Sequence, residues 1–306
     1  MANETIKADQ IVEAANLLLQ RSIVLPRVFW AQPDALYTGT QPLDDTITLR
    51  IPAQRTASKR TMRSSTAVSG TGLSETKVPV KLTEHVYDLL PITSEELTMD
   101  FKNFVAQVLN PQLRSVVEGV EDVIADALGA ATWDADPVDF DEGTDLGFDV
   151  LIAAGKALNL LNVPRSGRVF VCGAGVEAAL FGDDRVVKAN EAATDTALRE
   201  ATIARLAGFT VIGSNALAED EAYACHMTAI AFASVAPALP EGAGMAARTT
   251  SESLALRYLR DFSMGATGGP SDQSLIDSFV GATSVEDEGT STNKRGVEIN
   301  FTAVGS

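Results

Sequence analysis

The residues best placed to do chemistry in this chain are charges sorted by sign. Between Thr46 and Ser74 every charged residue is basic: Arg50, Arg55, Lys59, Arg60 and Arg63. Between Ser115 and Gly155 there are eleven acids and no base, and the first four are Glu118, Glu121, Asp122 and Asp126. The whole chain carries −17, so a segment of +5 leaves −22 on the remainder. A basic arm and an acidic body in one chain suit ion pairing between copies of that chain. The overall negative charge argues against a general nucleic-acid binder.

Catalytic and ligand-binding patterns are weaker. Gly173-Ala-Gly175-Val-Glu-Ala178 follows a strand pattern and precedes a helix, matching the loose dinucleotide fingerprint. A dinucleotide site also needs a second strand ending in an acid about twenty residues on. That region is Lys188-Ala-Asn-Glu-Ala-Ala-Thr, which is polar and not a strand. The acidic run after Trp133 fails as a calcium loop, because Val138 and Asp139 fall where an oxygen ligand and glycine belong. His85 and His226 have no cysteine or histidine neighbours at zinc spacing. Cys172 and Cys225 sit in apolar contexts and read as buried free thiols. With no convergent acid, base and nucleophile, the chain reads as a non-enzyme without metal or cofactor.

The elements that carry these charges can be read from periodicity. Leu113, Val116, Val117, Val120, Val123, Ile124, Ala127 and Leu128 recur at three- and four-residue steps. This predicts a helix over 110–131, about 30 Å long, with Asn110 as N-cap and Pro111 at its first position. The segment 101–109 keeps the same spacing, so a continuous helix bent at Pro111 is the alternative. Thr46–Pro52 and Lys77–Leu90 alternate like strands around a polar, basic linker, which predicts a long projecting hairpin. Residues 1–43 read as an arm with one short helix, broken by Pro26, Pro33 and Pro42 around the apolar Val28-Phe29-Trp30. Residues 164–240 read as an α/β unit, with strands at Arg168–Cys172 and Phe209–Ile212, helices after Gly175 and over 189–206, and a third apolar segment over 222–235. Residues 252–306 read as strands. No apolar run is long enough to cross a bilayer, and the N-terminus lacks a signal-peptide pattern, which points to cytoplasmic synthesis.

The order arm, basic hairpin, long helix, α/β unit and returning strands resembles the major capsid (coat) protein of tailed bacteriophages, the Hong Kong 97-type fold, closest to short-tailed-phage coats. The most specific stretch is Ala197-Leu-Arg-Glu-Ala-Thr-Ile-Ala-Arg-Leu-Ala-Gly-Phe-Thr-Val-Ile-Gly-Ser-Asn-Ala-Leu217, followed by Ala224-Cys-His-Met-Thr-Ala-Ile-Ala-Phe-Ala. The resemblance spans about residues 20 to 300. It implies an α+β chain divided into an N-terminal arm (1–43), an extended β-hairpin loop (44–90) and a peripheral domain with the spine helix (91–149). An axial α/β domain (150–245), peripheral strands (246–291) and a C-terminal strand (292–306) would follow. It implies an icosahedral head built from pentamers and hexamers of this chain around double-stranded DNA, which is enclosed without sequence-specific binding. A portal, a separate scaffolding protein, no membrane and residence in the virion are implied with it. Arg55, Lys59, Arg60 and Arg63 would then meet Glu118, Glu121, Asp122 and Asp126 of a neighbour. Some family members crosslink a loop lysine to an asparagine. Lys59 is in that loop, but residues 263–272 contain no asparagine, so no crosslink is expected. The same fold used as a cargo-enclosing nanocompartment, and an α/β nucleotide-binding enzyme using the Gly173 loop, are the alternatives.

Overall fold

A computed structural model describes residues 24–32, 46–51, 57, 59–64, 67, 76–93, 104–182, 205–242, 244–250, 254–263, 271–286 and 291–303. The helix expected within 1–19, residues 189–204 of the helix expected over 189–206, the turn at 264–270 and Arg55 lie outside the described residues, while Arg205 and Leu206 are described and are not helical. The rest is a mixed α+β arrangement of two main sheets, a small two-stranded ladder and one dominant helix.

That helix, the spine, follows the apolar stripe. It runs Asn110–Gly129 and buries Leu113, Val116, Val117, Val120, Ile124 and Leu128. Its start differs from the capped one expected. The cap position is Leu109, in helical conformation with no side-chain cap, and the chain enters through a π-helical turn, Val105–Leu109. Pro111 explains this. It has no N–H to donate four residues back, and its ring would collide with that carbonyl in a regular turn, so the ladder widens just before it.

The spine lies across a six-stranded sheet in which β9 (Ile230–Val235), β12 (Ser271–Ser284), β11 (Ala255–Ser263) and β10 (Met245–Thr250) are neighbours in that order. β1 (Trp30–Gln32) adds in parallel to β9, and β4 (Glu84–Thr93) pairs with β12 along its other side. Gly119 lets the sheet approach the helix, since a Cβ there would stand 2.9 Å from Val86 Cγ1. The buried Gln112 donates to Ser274 O at 3.0 Å and accepts from Ser274 Oγ at 2.8 Å, so the contact is satisfied as well as apolar.

The strand expected over 77–90 is two strands in two different ladders. β3 (Thr76–Lys81) pairs antiparallel with β2 (Thr46–Ile51), while β4, after a break at Leu82 and Thr83, joins the large sheet. The root of the hairpin is therefore packed rather than free: Val78 and Val80 are buried against Ala231, Ala233, Val235 and Val285.

The second sheet has five strands in the order β5 (Val138–Asp141), β13 (Gly296–Thr302), β8 (Glu221–His226), β6 (Arg168–Cys172), β7 (Thr210–Gly213). Helix α3 (Gly147–Leu160) and helix α4 (Ala174–Phe181) share a core with it around Phe140, Leu151, Phe170, Leu180 and Phe209. (The short helix Leu25–Val28 is α1 and the spine is α2.) The segment 222–235 is two strands, β8 and β9, which belong to different sheets and carry the chain between them. Buried Arg168 closes the C-terminal end of α3, donating to Val163 O at 2.6 Å, Asn159 Oδ1 at 2.8 Å and Pro164 O at 2.9 Å, where a cation also favours the helix dipole.

Gly281 marks the tightest crossing between the hairpin root and β12. A Cβ there would sit 2.0 Å from Lys81 O, which is backbone and cannot swing aside. Gly281→Ala is expected to lower stability by about 1–3 kcal/mol through overpacking, read as a drop in the thermal midpoint. An unchanged midpoint would show that the root is not held against β12.

Candidate functional site: an acidic cleft beside the spine helix

The acids of the spine helix do not all point into open solvent. Glu118, Glu121 and Asp122, spaced to share one flank of the helix, form one wall of a cleft of about 710 Å³. The opposite wall comes from the end of β7, Gly213 to Ala216, and from Glu177 of α4. Arg114 and Val24 complete the rim. Asp126 lies one turn further along and is exposed outside the cleft.

Each carboxylate has a different environment. Glu121 is half-buried and faces its own chain: Oε1 accepts from Val24 N at 2.7 Å and from Leu25 N at 3.3 Å. Those are the first N–H groups of α1, so Glu121 acts as a remote N-cap. Leu25 and Phe29, buried against the spine, hold α1 in place. Burial pushes the Glu121 carboxyl above its ordinary value, the two N–H bonds oppose this, and Asp122 and Glu118 add to the rise. Asp122 is raised too, by burial first and then by Asp126 and Glu118. Glu118 takes a 2.7 Å bond from Arg114 one turn back, a pair in which both partners are exposed. Glu177 rests on Gly213, where a Cβ would come within 2.5 Å of its Oε2. Four carboxylates thus share a cleft with one guanidinium.

Glu177 was not legible as a member of this set. It lies in another part of the sequence and enters the cleft only because β6, α4 and β7 fold against the spine. It also presses on Cys172, whose thiol is pushed up to about 12 by burial first and then by this carboxylate. Cys225 is pushed up by burial alone, and both thiols are buried and form no disulfide, Cys172 Sγ donating to Ile212 O at 3.8 Å. Neither is a nucleophile in this state.

The basic residues sit on the hairpin. Lys59, Arg60, Met62 and Arg63 are all exposed, and a tight turn from Thr61 to Ser64, with Arg63 in the left-handed region at φ 61°, carries them outward. Within one subunit no ion pair among the described residues joins Lys59 or Arg63 to Glu118, Glu121, Asp122 or Asp126.

The Gly173 loop has a structural account. A Cβ at Gly173 would lie 1.9 Å from Ala218 O and one at Gly175 would lie 2.7 Å from Glu219 Cγ. The N–H groups of Gly175 and Val176, which a phosphate would need, donate to Glu219 O at 3.1 and 3.3 Å. The glycines admit a crossing chain, and that chain occupies the anion position.

No family model matches the sequence, and no curated protein matches it. Solved structures do. A chain from Mycobacterium phage Che8 aligns over 91% of this chain and 91% of its own length, at TM-score 0.61 and 18% identity. The capsid of cyanophage Pam1 aligns over 94% and 93%, at TM-score 0.58 and 12% identity. A virus-like particle from Pyrococcus furiosus aligns over 94% and 96%, at TM-score 0.53 and 10% identity. Agreement over nine-tenths of both chains establishes that this chain has the Hong Kong 97-type capsid fold.

Proposed function

We propose that the chain is the major capsid protein of a tailed bacteriophage, assembling as pentamers and hexamers into an icosahedral head around double-stranded DNA. The observation that carries this is the whole-length likeness to phage capsid structures, joined to exposed basic residues Lys59 and Arg63 on the hairpin and an acidic cleft with which, among the described residues, they form no ion pair. In this proposal the arm, extended loop, peripheral and axial divisions expected from the sequence are the working parts of the subunit. Arg55, Lys59, Arg60 and Arg63 reach the cleft of a neighbour. A separate scaffolding protein sets curvature, a portal occupies one vertex, and the subunit is made in the host cytoplasm and ends in the virion. Its role is structural and non-enzymatic. The likeness to a Pyrococcus furiosus virus-like particle keeps a cargo-enclosing shell as the second reading. A DNA-filled particle separates the two.

Electron microscopy of the purified protein, with scaffold supplied where needed, is expected to show closed shells tens of nanometres across or sheets of hexamers. A small discrete oligomer under both conditions would overturn the capsid assignment.

Charge docking has its own test. Arg60→Glu with Arg63→Glu is expected to leave a folded subunit with an unchanged thermal midpoint and to abolish shells. Exposed pairs contribute only about 0–1 kcal/mol each, so the effect arises from repetition over every contact of the shell. Normal particles from the double variant would end the docking idea.

The pH dependence has a definite sign. Glu121 and Asp122 have raised values in the folded subunit, so their contribution to folding is largest below the ordinary values of 4.5 and 3.8 and falls as pH rises through the raised ones. A docked cation acts oppositely by favouring the ionised carboxylates. Docking therefore releases protons, and assembly is expected to weaken as pH falls from neutral toward 4.5. Light scattering at constant ionic strength reads this, and assembly that strengthens on acidification would contradict it.

A further inference from the structure

The outer face of α3 carries two exposed apolar residues, Ile152 and Leu160, beside exposed Asp149, Lys156 and Asn159. Ile152 is 51% exposed and Leu160 is 73% exposed. They are eight residues apart, with Lys156 midway, so the three form one stripe. The stripe borders a groove of about 480 Å³ whose far side is the Ala207-Gly208 turn leading into β7. Two cations stand at its rim, Lys156 and Arg165, and no ion pair among the described residues engages either. Arg168 at the base is committed to the C-terminal carbonyls of α3 and its neighbours, so it braces the groove rather than offering charge.

The strand order of the five-stranded sheet places this groove beside the β7 edge. The opposite edge is β5, paired only with β13, and it carries the acid-rich run. Asp136, Asp139 and Asp141 are all exposed there, and there is no base from Ser115 to Gly155. One edge is thus apolar and basic, the other acidic. A surface that complements a different surface of the same chain makes head-to-tail contacts, and such contacts form rings where the rotation per subunit closes.

We infer that the α3 groove is the socket for a second copy of this chain, with Ile152 and Leu160 buried beneath the neighbour's β5 edge and Lys156 and Arg165 paired to its Asp136, Asp139 and Asp141. This rests on the shell-forming role proposed above and names the surface that joins subunits within one ring. It is separate from the hairpin and the spine-side cleft.

The test is a charge reversal and its rescue. Lys156→Glu with Arg165→Glu, both at exposed positions, is expected to keep the wild-type circular dichroism and thermal midpoint. It should raise the subunit concentration needed for assembly by roughly tenfold, about 1.4 kcal/mol, with rings lost in native mass spectrometry. Adding Asp139→Lys and Asp141→Lys to that variant is expected to restore rings. Leu160→Ala, which removes only the apolar contact, is expected to weaken assembly with no change in its salt dependence. Wild-type-like assembly of the charge-reversed variant overturns the socket while leaving the capsid assignment intact. Loss without rescue overturns the pairing with the β5 edge. Failure of the wild-type chain itself to assemble, with scaffold supplied, removes the assignment on which the socket rests.

Discussion

The structure depends on one buried charge. Asp277, in the middle of the fourteen-residue strand β12, has no exposed surface. Its two oxygens are held by Arg257 of β11, Nε at 2.9 Å and Nη2 at 2.5 Å, and by His85 of β4 at 3.0 Å. Arg257 also donates to Ala238 O at 2.6 Å. A buried ion pair is weak evidence for added stability, because desolvation offsets the attraction, but an unpaired one is severely unfavourable. What the arrangement fixes is register. A slip of β4 or β11 by one residue would turn partners to opposite faces and leave Asp277 alone in the interior. The strand that follows the hairpin is thereby set in one position on β12, and the hairpin root, pressed onto Gly281, inherits that position. An arm that must reach a particular place on another molecule needs such an anchor.

The same logic separates frame from contact. Within the frame, three buried polar side chains are satisfied in place: Gln112 with Ser274, Ser278 with Ala255 O at 2.7 Å, and Asn293 with Ala229 O at 2.8 Å. On the surface the pattern differs. Lys59, Arg63, Lys156 and Arg165 have no ion-pair partner within the described residues, while burial first, and then neighbouring acids, raise Glu121 and Asp122. A subunit with −17 net charge repels its copies at long range. Only orientations that bring basic surfaces to acidic ones escape that repulsion. The sorting of charge thus acts as a filter on geometry, which matters more to a closed shell than the strength of any single pair.

How much of this was readable from residues alone follows from which signals are local. The spine helix was readable because its apolar stripe repeats over five turns and its partners need not be known. Its capped start was not, because Asn110 is a good cap only if the chain before it is non-helical, and Phe104 to Leu109 are helical. The alternation from Lys77 to Leu90 continues through Leu82, so nothing local announces that one half pairs with β2 and the other with β12. Residues 222–235 are mostly apolar and rich in alanine, as suits two buried strands, and that composition cannot say that they enter different sheets. Glu118, Glu121 and Asp122 were visible as neighbours on one helix. Glu177 was visible only as a residue in a glycine-rich loop, and its place in the cleft is a consequence of tertiary packing.

Glu121 shows why the cleft is more than a cluster of acids. Its carboxylate is bound on one side to the N–H groups of Val24 and Leu25 and lies open on the other to the cleft. A cation arriving in the cleft draws on the same charge that caps α1. The two demands are compatible because a carboxylate accepts several hydrogen bonds at once, and ionisation strengthens them all. Filling the cleft therefore tightens the hold on the chain entering at Val24 rather than competing with it, and β1, which follows α1, passes that restraint into β9 and the large sheet. Under the proposed docking, contact at the surface and order at the N-terminal entry would be coupled through this one side chain, each favouring the other.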